Sequence, residues 1–101
     1  MAISAKMDSY QETLEINIIG RFDFSSHNDF RKAYEALEKP PASILINMKQ
    51  ATFVDSSALG MLLILRDFAG GDEANIEINS CNSDVRQILE TANFDNLFAI
   101  N

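Results

Sequence analysis

The segment that decides the fold is ILINMKQATFVDSSALGMLLILRDF, residues 44–68. It begins with Ile44-Leu45-Ile46, a short apolar run that predicts a central strand covered on both faces of a sheet. It ends in a run of mostly apolar side chains, which predicts a helix from about Ser57 to Ala69, stopped by Gly70-Gly71. A strand that leads through a short loop into a helix is typical of an α/β fold.

Two further strands are predicted on the N-terminal side of this segment. Ile3–Asp8 has the pattern of a partly polar strand, and Leu14, Ile16 and Ile18 alternate with polar residues in the two-residue period of a half-buried strand. The connection between the two is short, so they are predicted to form an antiparallel hairpin. Gly20 is expected to end the second strand and to open a loop.

An amphipathic helix is predicted between this loop and the central strand. Ser25 or Ser26 can cap its start, and Pro40-Pro41 is expected to stop it. The side chains expected on its buried face are those of Phe30, Ala33, Tyr34 and Leu37.

The C-terminal third predicts one more strand, one more helix and a closing turn. Ile76 and Ile78 alternate with polar residues, as in a strand. Asn82 or Ser83 can cap the helix that follows. The side chains expected to face the core from here to the end are Val85, Ile88, Leu89, Ala92, Phe94, Leu97, Phe98 and Ile100.

The predicted fold is therefore α/β, in the order β-β-α-β-α-β-α, with or without a short final strand. Right-handed crossovers place the helices mainly on one face of a mixed sheet of four to five strands. With 101 residues, 47% of them hydrophobic, the chain 1–101 is predicted to be a single domain.

The charge balance narrows the kinds of partner. Eight basic residues against fifteen acidic ones give a formal charge of −7 at pH 7. Such a chain is expected to bind neither nucleic acid nor an anionic membrane, because both attract Lys and Arg. The longest apolar stretch falls far short of the roughly 20 residues of a membrane-spanning helix, and the N-terminus lacks the layout of a secretion signal. The sequence predicts a cytoplasmic protein that approaches basic protein surfaces.

No set of residues predicts an enzyme. His27 is the single histidine, and no G-x-S-x-G elbow or phosphate-binding glycine loop accompanies it. Cys81 is the single cysteine, which rules out an intramolecular disulfide and predicts a small buried side chain. One His and one Cys do not make a metal site. We expect no catalysis, no cofactor and no metal.

The most informative polar cluster is Asp55-Ser56-Ser57, at the predicted start of the second helix. Exposed amides at a helix N-terminus stabilise an added anion, so a phosphate on Ser56 would gain from the helix dipole. The simpler interpretation is that Asp55 or Ser56 only caps the helix. The Gly20–Phe24 loop, which carries Asp23, can lie near this site or can be a structural turn.

The second helix is apolar around almost its whole circumference, whereas a helix over a sheet needs only a stripe. If Leu59, Leu62 and Leu63 cover the sheet, the other apolar side chains either pack against neighbouring helices or form an exposed patch. Met61 is the residue expected in an exposed contact, because its side chain adapts to different shapes.

The whole chain resembles the STAS-domain family, specifically the single-domain bacterial anti-sigma factor antagonists. The resemblance rests on Gly20-Arg21-Phe22-Asp23, on Ile44-Leu45-Ile46-Asn47 and on Phe53–Gly60, which is similar to the family's phosphorylation motif. One departure is Ala58, where many members have glycine.

This resemblance implies a phospho-regulated switch in a partner-switching pathway. The implied kinase is an anti-sigma factor/serine kinase of the histidine-kinase-like ATPase type, which would modify Ser56. A PP2C-type phosphatase would remove the phosphate. Asp23, Asp55 and Ser57 are expected to flank the modified serine. Unmodified protein would bind the kinase and release its client, and phosphorylation would abolish that binding. The residues expected to contact the partner are Phe22, Phe24, Ser25, Ala58 and Met61.

Two other functions stay open at the level of sequence. The chain could be an unmodified scaffold that dimerises through the apolar helix 58–69, although we expect a monomer or a weak dimer. It could also sense a small ligand or nucleotide, against which the lack of a glycine-rich phosphate loop argues.

Overall fold

The structure is a computed structural model that describes the backbone of residues 2–101 and the side chains of residues 3–101. One mixed sheet has the strand order β1-β2-β3-β4-β5. The strands are β1 (Ala2–Asp8), β2 (Thr13–Phe22), β3 (Ser43–Val54), β4 (Ile76–Asn79) and β5 (Ala99–Ile100), and the helices are α1 (His27–Lys32), α2 (Ser56–Phe68) and α3 (Ser83–Thr91). The predicted α/β fold and the predicted order of its elements are confirmed.

The first two strands form the predicted antiparallel hairpin, and the remaining neighbours pair in parallel. The prediction that Gly20 ends β2 is wrong. Gly20 has a positive φ of 85° and sits beside a shift in register, after which β2 continues to pair with β3 as far as Phe22 and Val54. Because β2 stays paired with β3 beyond Gly20, the strand continues past the glycine.

The helices cover one face of the sheet, as predicted. On β3 the buried side chains alternate with more exposed ones, so Ile44 and Ile46 enter the core while Leu45 stays half-buried. The prediction that β3 is covered on both faces is wrong. Leu45 pairs with Glu15 of β2 and Glu77 of β4, and these acidic neighbours keep the second face of the sheet polar.

The first helix is shorter than predicted. It ends at Lys32, well before Pro40-Pro41, and the chain continues in turns such as that from Leu37 N–H to Tyr34 C=O. These turns bring Tyr34 against α2, where its ring centroid lies 5.0 Å from that of Phe68. The helix therefore ends before the prolines, and Tyr34 packs on α2 from the turns that follow it.

The second and third helices begin at side-chain caps. Asp55 accepts a hydrogen bond from the N–H of Ala58 at the start of α2, and Asn82 accepts one from Val85 at the start of α3. α2 ends at Phe68, and Gly70 follows with a φ of 118°. The predicted cap of α3 and the glycine stop after α2 are confirmed.

Candidate functional site

The predicted site lies where β2 and β3 end side by side. Phe22 and Val54 are paired residues of these parallel strands, and the N–H of Asp55 donates to the carbonyl of Phe22 at 3.1 Å. The loop that follows β2 and the start of α2 therefore meet at one edge of the sheet. This juxtaposition brings Asp23 and Asp55 into one surface, as the sequence suggested.

Asp55 fastens the two segments together through both carboxylate oxygens. Oδ1 accepts from the N–H of Ala58 at 2.8 Å, in the manner of a helix N-cap. Oδ2 accepts from the N–H of Phe24 in the neighbouring loop at 3.3 Å. One side chain thus caps α2 and holds the loop after β2 against it.

Substitutions of Asp55 measure how much its cap of α2 and its contact with the loop after β2 contribute to stability. Asp55→Ala removes the cap and the loop contact, and we expect a loss of roughly 1–2 kcal/mol in the free energy of unfolding. Asp55→Asn keeps one acceptor oxygen for the cap, so its loss should be smaller. Urea unfolding of the three proteins measures the difference. Equal losses for Ala and Asn would mean that capping is not the source of the stabilisation.

Asp23 organises the loop on the other side of the site. Its Oδ1 accepts hydrogen bonds from the N–H of Ser25 at 3.0 Å and from its hydroxyl at 2.6 Å. Its Oδ2 lies 3.6 Å from Nε of Arg21, whose guanidinium is 4.4 Å from the ring centroid of Phe53. The hydrogen bonds from Ser25, helped by Arg21, lower the pKa of Asp23 below its usual value.

Removing the hydroxyl of Ser25 should reverse part of this change in the pKa of Asp23, because that hydroxyl is its largest cause. In Ser25→Ala the pKa of Asp23 is expected to rise toward its ordinary value of 3.8. A lowered folded pKa stabilises the fold above the ordinary value, and that contribution is lost as the pH falls through the folded pKa. The variant should therefore show a weaker loss of stability below pH 4. Titration of the Asp23 carboxyl by NMR checks this, and an unchanged midpoint would contradict it.

The candidate phosphoacceptor stands at the first position of α2. The side chain of Ser56 is exposed, whereas that of Ser57 is half-buried. Amides of the first helical turn point outward here, and such amides attract anions. Ser56 is thus the more accessible of the two hydroxyls, and its modification stays a prediction.

The prediction of five partner-contact residues is wrong for three of them, because their side chains are buried. Phe22 and Ala58 have no exposed surface and Met61 is only 5% exposed. Phe22 packs on Phe30, with ring centroids 5.0 Å apart. The other two predicted residues are accessible: Phe24 is 75% exposed, and Ser25 is exposed.

Two apolar residues of α2 are exposed: Leu63, which we predicted over the sheet, and Ile64, which the sequence left open between packing and an exposed patch. Leu63 is 40% and Ile64 54% exposed, and Gly60 lies one turn before Ile64. With Ser56 and Asp67 these positions follow the helical period along the outer face of α2. The spacing of the small and polar residues, Ser56, Gly60 and Asp67, marks the outer face of α2. This spacing could have identified Leu63 and Ile64 as exposed from the sequence.

Other candidate chemistry receives little support. Burial raises the pKa of the Cys81 thiol, which disfavours the reactive thiolate. His27 is an exposed residue in the first turn of α1. Within the described side chains, no three potential metal ligands are grouped together. Across residues 2–101, every helix is too short or too polar to cross a bilayer.

An open cleft adjoins the site on the side of α3. It has a volume of about 620 Å³ and lies between the end of β3, α2 and α3. Its apolar lining comes from Phe53, Leu59, Ile88 and Ala92, and its polar lining from Thr52, Asp84, Gln87 and Thr91.

Comparison with known proteins places the chain in a family. The model of the STAS domain matches residues 4–101, and the chain belongs to the STAS-domain family. A STAS-domain containing protein of Pseudomonas aeruginosa (strain UCBPP-PA14) is 49% identical over 100 residues, which cover 99% of each chain.

Solved structures share the fold at low identity. A putative anti-sigma factor antagonist from Thermotoga maritima superposes with a TM-score of 0.82 at 17% identity, over 97% of this chain and 84% of that one. The Bacillus cell fate determinant SpoIIAA in its phosphorylated form superposes with a TM-score of 0.67 at 16% identity, over 99% of this chain and 91% of that one. The sheet and helices described above are therefore a STAS fold.

Proposed function

We propose that this STAS domain is a non-catalytic binding module whose contact surface is switched off by phosphorylation of Ser56. Its partner is a serine kinase that also acts as an anti-sigma factor, of the histidine-kinase-like ATPase type. The unmodified chain binds this kinase and releases the kinase's other client, and a PP2C-type phosphatase restores the unmodified chain.

The observation that carries this proposal is the exposed side chain of Ser56 at the start of α2, next to two segments that each carry a carboxylate. Asp55 precedes it in the chain, and Asp23 lies in the loop that Asp55 holds in place. A kinase can reach this hydroxyl without unfolding any element. The phosphorylated form of SpoIIAA, which shares the fold, is consistent with such a modification.

The fold can accept a phosphate at this position with little rearrangement. A phosphoserine carries about −1.5 to −2 charges at pH 7, and the N-terminal end of a helix stabilises such an anion. The cap of α2 comes from Asp55, so modification of Ser56 leaves it in place. The change is confined to the charge of the surface.

That change in charge is unfavourable for a partner that covers the site. An interface over Ser56 also removes water from Asp23 and Asp55, and a further dianion among them adds repulsion and desolvation cost. The same loop and helix also present apolar surface through Phe24 and Ile64. Such a surface can bind the partner when Ser56 is unmodified, and phosphorylation of Ser56 lowers its affinity for the partner.

The direct test is to locate the phosphate in cells and to follow its effect on the partner. Intact-protein mass and peptide mapping should find phosphate on Ser56 in the wild type and none in Ser56→Ala. Ser57→Ala is the matched control and should keep the modification. Ser56→Ala should stay bound to the kinase. Phosphate on Ser57 alone, or equal binding of modified and unmodified chains, would contradict the proposal.

A second candidate function rests on the cleft beside α3. A volume of about 620 Å³ falls within the range of small-molecule sites, so a ligand sensor is the alternative. Calorimetry with purine nucleotides, comparing the wild type with Gln87→Ala, tests it. Absence of heat in the wild type would dismiss a nucleotide ligand.

A further inference from the structure

The cleft beside α3 arises because β3 is longer than β4. The two strands pair only as far as Asn47 of β3, whereas β3 continues to Val54. Beyond Asn47 the start of α3 lies alongside β3 instead, and Nδ2 of Asn82 donates to the carbonyl of Ala51 at 3.1 Å. A helix is about 10–12 Å across with its side chains, so it cannot come as close as the ~4.8 Å of a neighbouring strand. A gap of about 620 Å³ is left between the end of β3, α2 and α3.

The lining of this cleft is apolar where it is less exposed and polar where it is open to water. The apolar side chains are half-buried and come from Leu59, Ile88 and Ala92. The polar side chains are exposed and come from Asp84, Gln87 and Thr91. A ligand in such a site buries an apolar body and holds its polar groups at the mouth, where a few side chains fix its orientation.

Phe53 adds an aromatic ring to the lining and is 36% exposed. The guanidinium of Arg21 lies 4.4 Å from the centroid of this ring and covers one of its faces. The same guanidinium is paired with Asp23, at 3.6 Å from Nε to Oδ2. Aromatic rings pack on one another in offset or edge-to-face arrangements. The remaining surface of the Phe53 ring therefore favours a ligand that contains an aromatic ring.

The electrostatics of the cleft are acidic. Within the described residues, its lining carries one charged group, the carboxylate of Asp84 in the first turn of α3. Among the side chains of residues 3–101, no basic one forms an ion pair with this carboxylate. A protonated amine at the mouth of the cleft would pair with it. The net charge of −7 on the chain also attracts a cation to the surface.

The basic residues on the elements around the cleft are engaged elsewhere. On α3, Nε of Arg86 lies 3.4 Å from Oε2 of Glu90. On α2, Nη2 of Arg66 lies 3.0 Å from Oδ1 of Asp72. Lys49 of β3 lines a different pocket, on the face of the sheet that the helices leave uncovered. A carboxylate or phosphate in the cleft would therefore be repelled without a cation to offset the repulsion, so the charges disfavour a nucleotide and favour a cationic ligand.

We propose that the cleft beside α3 binds a small aromatic amine, with its ring against Phe53 and Ile88 and its ammonium group at Asp84. The side-chain carbonyl of Gln87, one turn further along α3, is a second acceptor for the ammonium group. The proposal rests on the second candidate function, to which it gives a ligand class. It is independent of the phosphorylation of Ser56.

Tryptamine, an indole ring with a protonated amine, is the probe, and indole-3-propionate is its matched anion. In NMR titrations of the full chain, tryptamine should shift the backbone amide signals of Phe53 and Ile88 until they saturate. It should bind about tenfold more tightly than indole-3-propionate, because Asp84 attracts the amine and repels the carboxylate. Asp84→Asn should weaken tryptamine binding about threefold to fivefold and remove most of this preference. Asp29→Asn removes the same charge from the first turn of α1, outside the cleft, and should leave both affinities within about twofold.

A ring supplied by the chain itself is the second test. Thr91→Trp adds an indole at the exposed rim of the cleft and should abolish tryptamine binding, while the melting temperature shows that the variant is folded. Equal affinities for tryptamine and indole-3-propionate, signal shifts that leave the lining unaffected, or no saturable shift would overturn the proposal.

The outcomes separate this ligand from the functions proposed above. Heat with a purine nucleotide, without binding of tryptamine, would keep the ligand sensor and overturn the aromatic amine. Absence of binding with both kinds of probe would overturn both. Phosphate on Ser56, measured by intact-protein mass, tests the phosphorylation switch alone.

Discussion

Phosphoserine at position 56 is expected to weaken the complex with the kinase by roughly a hundred- to several-thousand-fold, which corresponds to about 3–5 kcal/mol. The loss comes from burying a dianion beside Asp23 and Asp55 without a new basic partner inside this chain. Arg21, the basic residue near the end of β2, already pairs with Asp23 at 3.6 Å. Little of the added charge is neutralised before the partner arrives.

Calorimetric titration of the kinase with site-specifically phosphorylated protein measures this effect. Phosphoserine at Ser9 is the matched control, because Ser9 is exposed in the turn between β1 and β2, away from the sheet edge that carries the site. It adds the same charge and should leave the affinity nearly unchanged. Equal losses from the two positions would show that net charge alone, and not the Ser56 surface, weakens binding.

Phe22→Ala should lower the free energy of unfolding by about 3–5 kcal/mol, as expected for a large aromatic side chain removed from a core. Phe22 has no exposed surface, packs on Phe30 and lies at the end of β2, directly beside the site. Its loss should loosen the loop that carries Asp23.

Phe24→Ala is the informative comparison, because Phe24 lies two residues further on and is 75% exposed. It should change stability by less than about 0.5 kcal/mol and should still weaken the complex with the kinase. Urea unfolding and kinase binding, measured on both variants, distinguish a residue that stabilises the core from one that contacts the partner. A stable Phe22→Ala, or a Phe24→Ala that unfolds easily, would reverse the assignment.

The parts of the fold that follow from local patterns could be predicted from the sequence. The alternation of Leu14, Ile16 and Ile18 identified β2 and its buried face, and the polar residue at 82 identified the cap of α3. The short first connection and the right-handed crossovers predicted the mixed sheet with helices on one face. The resemblance to STAS domains supplied the family, which comparison confirmed.

The errors arose where tertiary contacts decide the outcome. Gly20 has the local chemistry of a strand end, but the pairing of Phe22 with Val54 lies outside any local pattern. α1 ends at Lys32, and the turns that follow place Tyr34 against Phe68 of α2. Neither contact can be derived from the spacing of residues along the chain.

The orientation of α2 about its axis was the remaining difficulty. When a helix has apolar residues on all sides, its hydrophobic pattern does not show which face is buried. Met61 was therefore predicted to be exposed and Leu63 to cover the sheet. In the structure Met61 is buried and Leu63 is exposed. The small and polar residues at positions 56, 60 and 67 indicate which face of α2 is exposed.

The carboxylate of Asp55 has a consequence for local motion. It holds the amides of Phe24 and Ala58 at the same time, while its own N–H is bonded to Phe22. Breaking any one of these bonds weakens the geometry of the others, so the two segments should fray together as one small cooperative unit. Fluctuations that expose one side of the site should therefore expose both.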